Sequence, residues 1–192
     1  IAARQASSFE HWCLQSFKYV STISHSMLAR AGTKGVKLES LLLFPNWSEV
    51  ERFTSVDPAA VQELSRKFDI PADHKVVLYS GNIGEKQGLE IVIHAAKELV
   101  DQKILFLIVG NGAGKEKLET LAAEQQLTNV SFLPLQSYEL LPTLLKLADC
   151  HLVVQKRGVA DAVLPSKLTN ILAVGGNAVI TAEPETELGK LC

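Results

Sequence analysis

The sequence predicts an α/β fold: an open, doubly wound parallel sheet with helices on both faces. Three observations carry that reading. Short apolar runs such as "KVVLYSG", "ILFLIVG" and "CHLVVQ" lack polar alternation, as strands buried on both faces do. Segments of helical length and periodicity separate these runs, so that strand and helix alternate. Apolar residues make up 47% of the chain and charged residues 21%, enough to build a core and too apolar for disorder.

The elements follow in order. The first part reads helix, strand, helix, strand. "VSTIS" is a strand, Ser24 or Ser26 caps the next helix, Gly32 or Gly35 ends it, and "SLLLFPNW" is a strand running into a Pro-Asn turn. "SVDPAAVQELSRKFDIPADH" holds a helix with Asp57 at its cap and Pro58 in its first turn. A boundary is placed between Pro45 and Phe53, so that residues 1–45 form the tail of one α/β domain and residues 46–192 most of a second. From Lys75 onward the order is βαβαβαβαβ. The strands are "KVVLYSG", "ILFLIVG", "NVSFLP", "CHLVVQ" and "AVITA"; the helices are "LEIVIHAAKELVDQ", "KEKLETLAAEQQ", "SYELLPTLLKLA" with Ser137 as cap, and "SKLTNILAVG". Right-handed crossovers turn this order into a Rossmann-like sheet.

Composition excludes some classes of function. A net charge of −2 argues against a protein driven onto nucleic acid by a basic field. Cys13, Cys150 and Cys192 have neither disulfide nor zinc spacing and suit a reducing, cytoplasmic setting. No apolar run approaches the ~20 residues of a membrane span. His11, His25, His74, His94 and His151 are not paired at ligand spacing, and no catalytic triad is arguable, so neither a metal nor a cofactor is implied. The chain opens on Ile1 and closes on "ETELGKLC", which reads as an internal piece of a longer protein.

Ligands of open parallel sheets bind beyond the carboxyl ends of the strands, and two junctions there have the right chemistry. In "YSGNIGEKQGLE", Gly81 permits a sharp turn and Lys86 offers a cation to a phosphate. "QKRGVADAVLPSKLTNILA" is a long connection in which Pro165, Ser166 and Lys167 open a helix, a place suited to a diphosphate. A glycine-rich turn with a solvated lysine, and a surface loop with an ordinary cap, are the plainer readings of the same stretches. "GNGAGK" looks like a third phosphate loop, but Val109 stands where a Walker loop needs glycine and Lys115 where a dinucleotide fingerprint needs glycine or alanine.

The run "VLYSGNIGEKQGLEIVIHAAKEL", "FLIVGNGAGKEKLETLA", "NVSFLPLQSYELLPTLLKLADCHLVV" and "VLPSKLTNILAVGGNAVIT" resembles the donor-binding half of retaining glycosyltransferases of family 4. "LPSKLTNILAVGGNAVI" is its most specific part and resembles the exopolysaccharide branch that includes colanic acid fucosyltransferases. The resemblance implies the C-terminal half of a GT-B fold, two facing Rossmann-like domains, with residues 1–45 closing the acceptor-side domain. It also implies transfer with retention from a nucleotide-diphosphate sugar, a GDP-sugar such as GDP-fucose, to a glycan or lipid-linked acceptor at the cytoplasmic face of the inner membrane. Lys86 then has the catalytic role. The binding positions are Gly81, Asn82, Lys86, Gly110, Asn111, Leu133, Leu135, Asp161, Leu164, Pro165, Ser166, Lys167 and Asn170. Gly110 and Asn111 would shape the cleft rim, and the stretch from Leu133 to Gln136 would meet the base.

The chain departs from that family in places. An arginine common after the first glycine is here Asn82, and the family's two glutamates, eight positions apart, fall at Ala162 and Asn170. Asp161 and Asn170 remain as polar substitutes. The missing acids keep open a second reading, a non-catalytic nucleotide-binding or interaction module. A nicotinamide oxidoreductase is disfavoured by the absent fingerprint.

Overall fold

The alternation of strand and helix resolves into parallel pairing throughout. The computed structural model describes residues 2–156, 165–186 and 188–191. Two units separate by their internal contacts. Among the described residues, one takes in the chain up to Trp47 and the stretch from Ala182 on; the other takes in residues 48–156 and 165–181.

The first unit contains α1 (Ala2–Gln15), β1 (Val20–Thr22), α2 (His25–Thr33) and β2 (Leu41–Leu43). β1 and β2 pair in parallel, Val20 opposite Leu41. Ser24 caps α2, its hydroxyl accepting the Met27 N–H at 3.2 Å. Lys34 and Glu10 form an ion pair that ties the end of α2 to α1.

The second unit begins with α3 (Val50–Thr54) and α4 (Pro58–Lys67). The α4 cap is the one the sequence announces: the Asp57 carboxylate accepts the Ala59 N–H at 2.9 Å, with Pro58 in the first turn. There follow β3 (Lys75–Ser80), α5 (Glu90–Glu98), β4 (Ile104–Val109), α6 (Lys115–Glu124), β5 (Val130–Leu133), α7 (Leu141–Leu147), β6 (Cys150–Val153), α8 (Ser166–Ala173) and β7 (Ala178–Ile180). The spatial order is β5-β4-β3-β6-β7 with every pair parallel. The chain therefore winds outward from β3 in one direction, then returns to build on β3's other edge.

Period-two alternation sends the strand side chains to two cores. Tyr79, Phe106, Ile108 and Leu152 pack with Val92, Ile93 and Ala96 of α5 and Leu118 and Ala122 of α6. Leu78 and His151 face the other way, towards Leu145 of α7 and Ile171 of α8. Apart from His151 these side chains are apolar, which is why the strands show no polar face. The buried Asn129 amide donates to the Ala96 carbonyl at 2.8 Å, pinning the entry to β5 against α5.

One element starts later than its sequence pattern suggests. Ser137 does not cap α7; Tyr138 to Leu140 form a turn and the helix opens at Leu141. Pro142 is the reason. A helix begun at Tyr138 would need a Pro142 N–H and would push its ring into the preceding turn, whereas the first helical turn tolerates it.

Candidate functional site

β3 and β6 are neighbours in the sheet, but the chain reaches them from opposite winding directions. Connections diverge there, and a crevice opens beyond the strand ends. It holds a cavity of about 340 Å³. Ser80, Gly81 and Asn82 line it from the end of β3, Leu135 from the loop after β5, Leu141 and Leu145 from α7, and Ser166, Lys167 and Asn170 from α8.

Two βα loops form one rim by hydrogen bonding to each other. The N–H of Gly81 donates to Val109, that of Ile83 to Asn111 and that of Gly114 to Ile83, each at 2.9 Å. Glycine is required for this approach. A Cβ on Gly110, whose φ is +154°, would lie 1.9 Å from the Gly81 carbonyl oxygen. On Gly112, φ +153°, it would lie 2.3 Å from that of Ile83. The glycines of "GNGAG" thus serve contact between loops. Gly110 and Asn111 do not line the cavity, and their backbones are engaged in the rim. Leu133 is likewise used through its carbonyl, which accepts the Gly110 N–H at 3.1 Å.

Lys167 is the charged group of the cavity. Its stem rises from the first turn of α8, where Pro165 is the cap residue and provides no side-chain hydrogen bond. The ammonium stands 4.0 Å from the centre of the Tyr79 ring. It gets there past Gly81, where a Cβ would come within 3.0 Å of Nζ. Burial pushes its pKa down to about 8. Among the described residues no carboxylate pairs with it. Tyr79 is itself fully buried, its pKa raised to about 12 by that burial. Its hydroxyl donates to the Asn82 carbonyl at 2.6 Å.

Other predicted positions separate. Asn170 is in the cavity, with Oδ1 accepting from the Ser48 hydroxyl at 2.8 Å. Lys86 lies exposed in the turn after the first loop; its carbonyl accepts the Lys156 N–H at 3.0 Å and its side chain does not line the cavity. Asp161 and Leu164 fall outside the described residues. Sequence reasoning missed three participants. Tyr79 reads as one more apolar strand residue, and its only signal is an aromatic two positions before a turn glycine. Ser48 carries no signal. His151 reads as packed or solvated; it is packed, against Gly176, with burial lowering its pKa to about 4. It also lines the cavity, with Nε2 buried and unpartnered among the described residues.

Comparison with known proteins identifies the family and the fold. The family model described as "Glycosyl transferases group 1" matches residues 60–187. A putative colanic acid biosynthesis glycosyl transferase of Escherichia coli (strain K12), WcaI, is 60% identical over 99% of this chain and 47% of its own length. The chain therefore spans about half of that relative. Among solved structures, Anabaena HepE in complex with UDP-glucose superimposes with a TM-score of 0.72 at 15% identity, over 91% of this chain and 52% of its own. WaaG, a glycosyltransferase involved in lipopolysaccharide biosynthesis, does so with a TM-score of 0.70 at 19% identity, over 84% and 44%. At such identities the likeness is one of fold.

Proposed function

The chain belongs to the glycosyl transferases group 1 family, and from that premise we propose that its second unit binds the nucleoside diphosphate of a sugar donor. The observation that carries the reading is Lys167. It is a partly buried cation with no ionic partner among the described residues, at the start of a helix, in the crevice where the sheet's winding reverses. Burying a charge without a counter-charge is unfavourable, and a bound diphosphate supplies one. The helix start adds its partial positive charge. Leu135 and Leu141 offer an apolar wall to the base. Asn170, its oxygen engaged by Ser48, keeps its amide N–H groups for a ribose hydroxyl.

Transfer breaks the bond between the anomeric carbon and a phosphate oxygen, and negative charge grows on the departing diphosphate. Lys167 and the α8 N-terminus stabilise that charge; Lys86, exposed on the adjoining loop, is the second cation of the reading. The WcaI relative supports a place in colanic acid synthesis. Retention, a GDP-sugar donor such as GDP-fucose, a glycan or lipid-linked acceptor and peripheral contact with the inner membrane complete the proposal, on the family 4 resemblance of "LPSKLTNILAVGGNAVI".

Calorimetry against UDP, GDP and their sugars tests it. Lys167→Ala should weaken diphosphate binding about ten-fold or more, the effect of removing a charge-assisted bond. Parent-like affinity in that variant would remove the site. One observation favours a second reading, a nucleotide-binding module without catalysis: the family's paired glutamates are here Ala162 and Asn170. Sugar transfer by the intact protein, with the product's anomeric configuration read by NMR, separates the two.

A further inference from the structure

We infer that Tyr79 is a positioning residue for the diphosphate site: its ring holds the Lys167 ammonium over Gly81 while its hydroxyl fixes the loop that faces it. The inference rests on the donor-site reading above and adds to it a residue that touches neither phosphate nor sugar.

Three features converge on this tyrosine. Its ring face meets the ammonium 4.0 Å from the centroid, within the range of a cation–π contact, which is strongest where water is excluded. Its hydroxyl donates to the Asn82 carbonyl at 2.6 Å, so the same side chain sets the backbone of the first βα loop. Gly81 lies between the two. A Cβ there would stand 3.0 Å from Nζ and 3.8 Å from the Tyr79 hydroxyl, so the absent side chain is the window through which Lys167 reaches the ring. Tyr79 is fully buried in the core on the α5–α6 side, so its ring cannot drift. A flexible lysine stem is thereby given one resting place, which lowers the entropy lost when an anion is bound.

The groups facing the ammonium make its titration readable. Among the described residues of the cavity, α7 contributes Leu141 and Leu145, α8 Ser166 and Asn170, and β6 His151, which its lowered pKa keeps neutral above pH 7. Tyr79 stays neutral to about 12. Lys167, near 8, is the one of these groups that titrates between about pH 7 and about 9.5. That window also lies above the phosphate's own pKa of about 6.

The test is calorimetric titration of the full chain with UDP and GDP across that window, for the parent, Tyr79→Phe, Tyr79→Leu and Lys167→Ala. In the parent, affinity should fall as pH rises through about 8. Tyr79→Phe keeps the ring and frees the loop. It should lose about three- to ten-fold in affinity with the pH midpoint unmoved. Tyr79→Leu removes both contacts. It should lose more, with the midpoint about one unit lower as the cation loses its π partner. A merely structural role would weaken binding without moving the midpoint, and that result overturns the inference. If Lys167→Ala binds weakly while both Tyr79 variants match the parent in affinity and midpoint, the inference alone fails. If Lys167→Ala binds like the parent, the donor-site reading fails with it. Should Tyr79→Leu not fold, NMR of the parent decides. Lys167 ε-protons shifted upfield by the ring and titrating near 8 support the inference, and unshifted protons overturn it.

Discussion

Lys167 holds its charge against the preference of its surroundings. Its pKa falls from 10.5 to about 8 because burial disfavours the ammonium. The unfolded chain, with the ordinary value, binds more protons than the folded one between about 8 and 10.5. This group's penalty is thus fully present below about 8 and is relieved as pH rises towards 10.5, so its contribution to stability grows with pH in that window. Replacing it with methionine should stabilise the ligand-free chain by about 1–3 kcal/mol at pH 7. The same change should flatten the rise above pH 8 and weaken diphosphate binding. Urea unfolding at several pH values checks this, and equal or lower stability in the variant would contradict it. The sequence could not separate this lysine from Lys86. Each lies in a connection that follows a strand, and only the packing beside Tyr79 and Gly81 makes one a partly buried cation and leaves the other in solvent.

At the scale of elements, the paired βα loops are the feature most exposed to a small change. Gly110→Ala places a methyl group against a backbone oxygen at 1.9 Å, which no rotamer relieves. The expected loss is about 2–4 kcal/mol. Gly175→Ala is the control. Its φ is +69°, but nothing lies within 4 Å of the added atom, so only the conformational cost of about 1 kcal/mol remains. Thermal or urea unfolding of the pair distinguishes contact from conformation, and similar losses would refute the close-approach argument. Strands and helices were legible because periodicity reports burial directly: "ILFLIVG" contains β4 and "KEKLETLAAEQQ" contains α6, which ends two residues earlier, at Glu124. The glycines of "GNGAG" were visible but their purpose was not, since the partner carbonyls of Gly81 and Ile83 lie about thirty residues away in the chain. The start of α7 was misread because Ser137 is a good cap by type, while Pro142, five residues on, decides the register.

The whole molecule shows a contrast between its units. The second buries most of its apolar residues in two cores, with Leu135, Tyr138 and Leu172 among its exceptions, whereas the first exposes the aromatic residues Phe9 at 63% and Trp12 at 64% of their surface, with Phe17 and Tyr19 also exposed. Aromatic patches of this kind associate in water. Light scattering should therefore show self-association that rises with concentration and weakens in a Phe9→Ser, Trp12→Ser variant; an unchanging monomer would count against it. The parallel, doubly wound order was legible from alternation and handedness alone. The residues at the two junctions that line the cavity were legible as candidates, but periodicity does not bring them together, because that depends on which edge of β3 receives β6. That edge is lightly joined: β3 shares six residue pairs with β4 but two with β6. The β3–β6 pairing also closes a loop of about seventy residues, against about thirty for β3–β4, so it is the slower of the two to form. The sheet is therefore expected to assemble as β3-β4-β5 with β6-β7 joining late, and to open along the same line on heating. Gly81 stands on one side of the seam and Lys167 on the other. A nucleoside diphosphate held by both would act as a clasp across it, and amide exchange in β6 and β7 should slow on binding while that of β4 changes little.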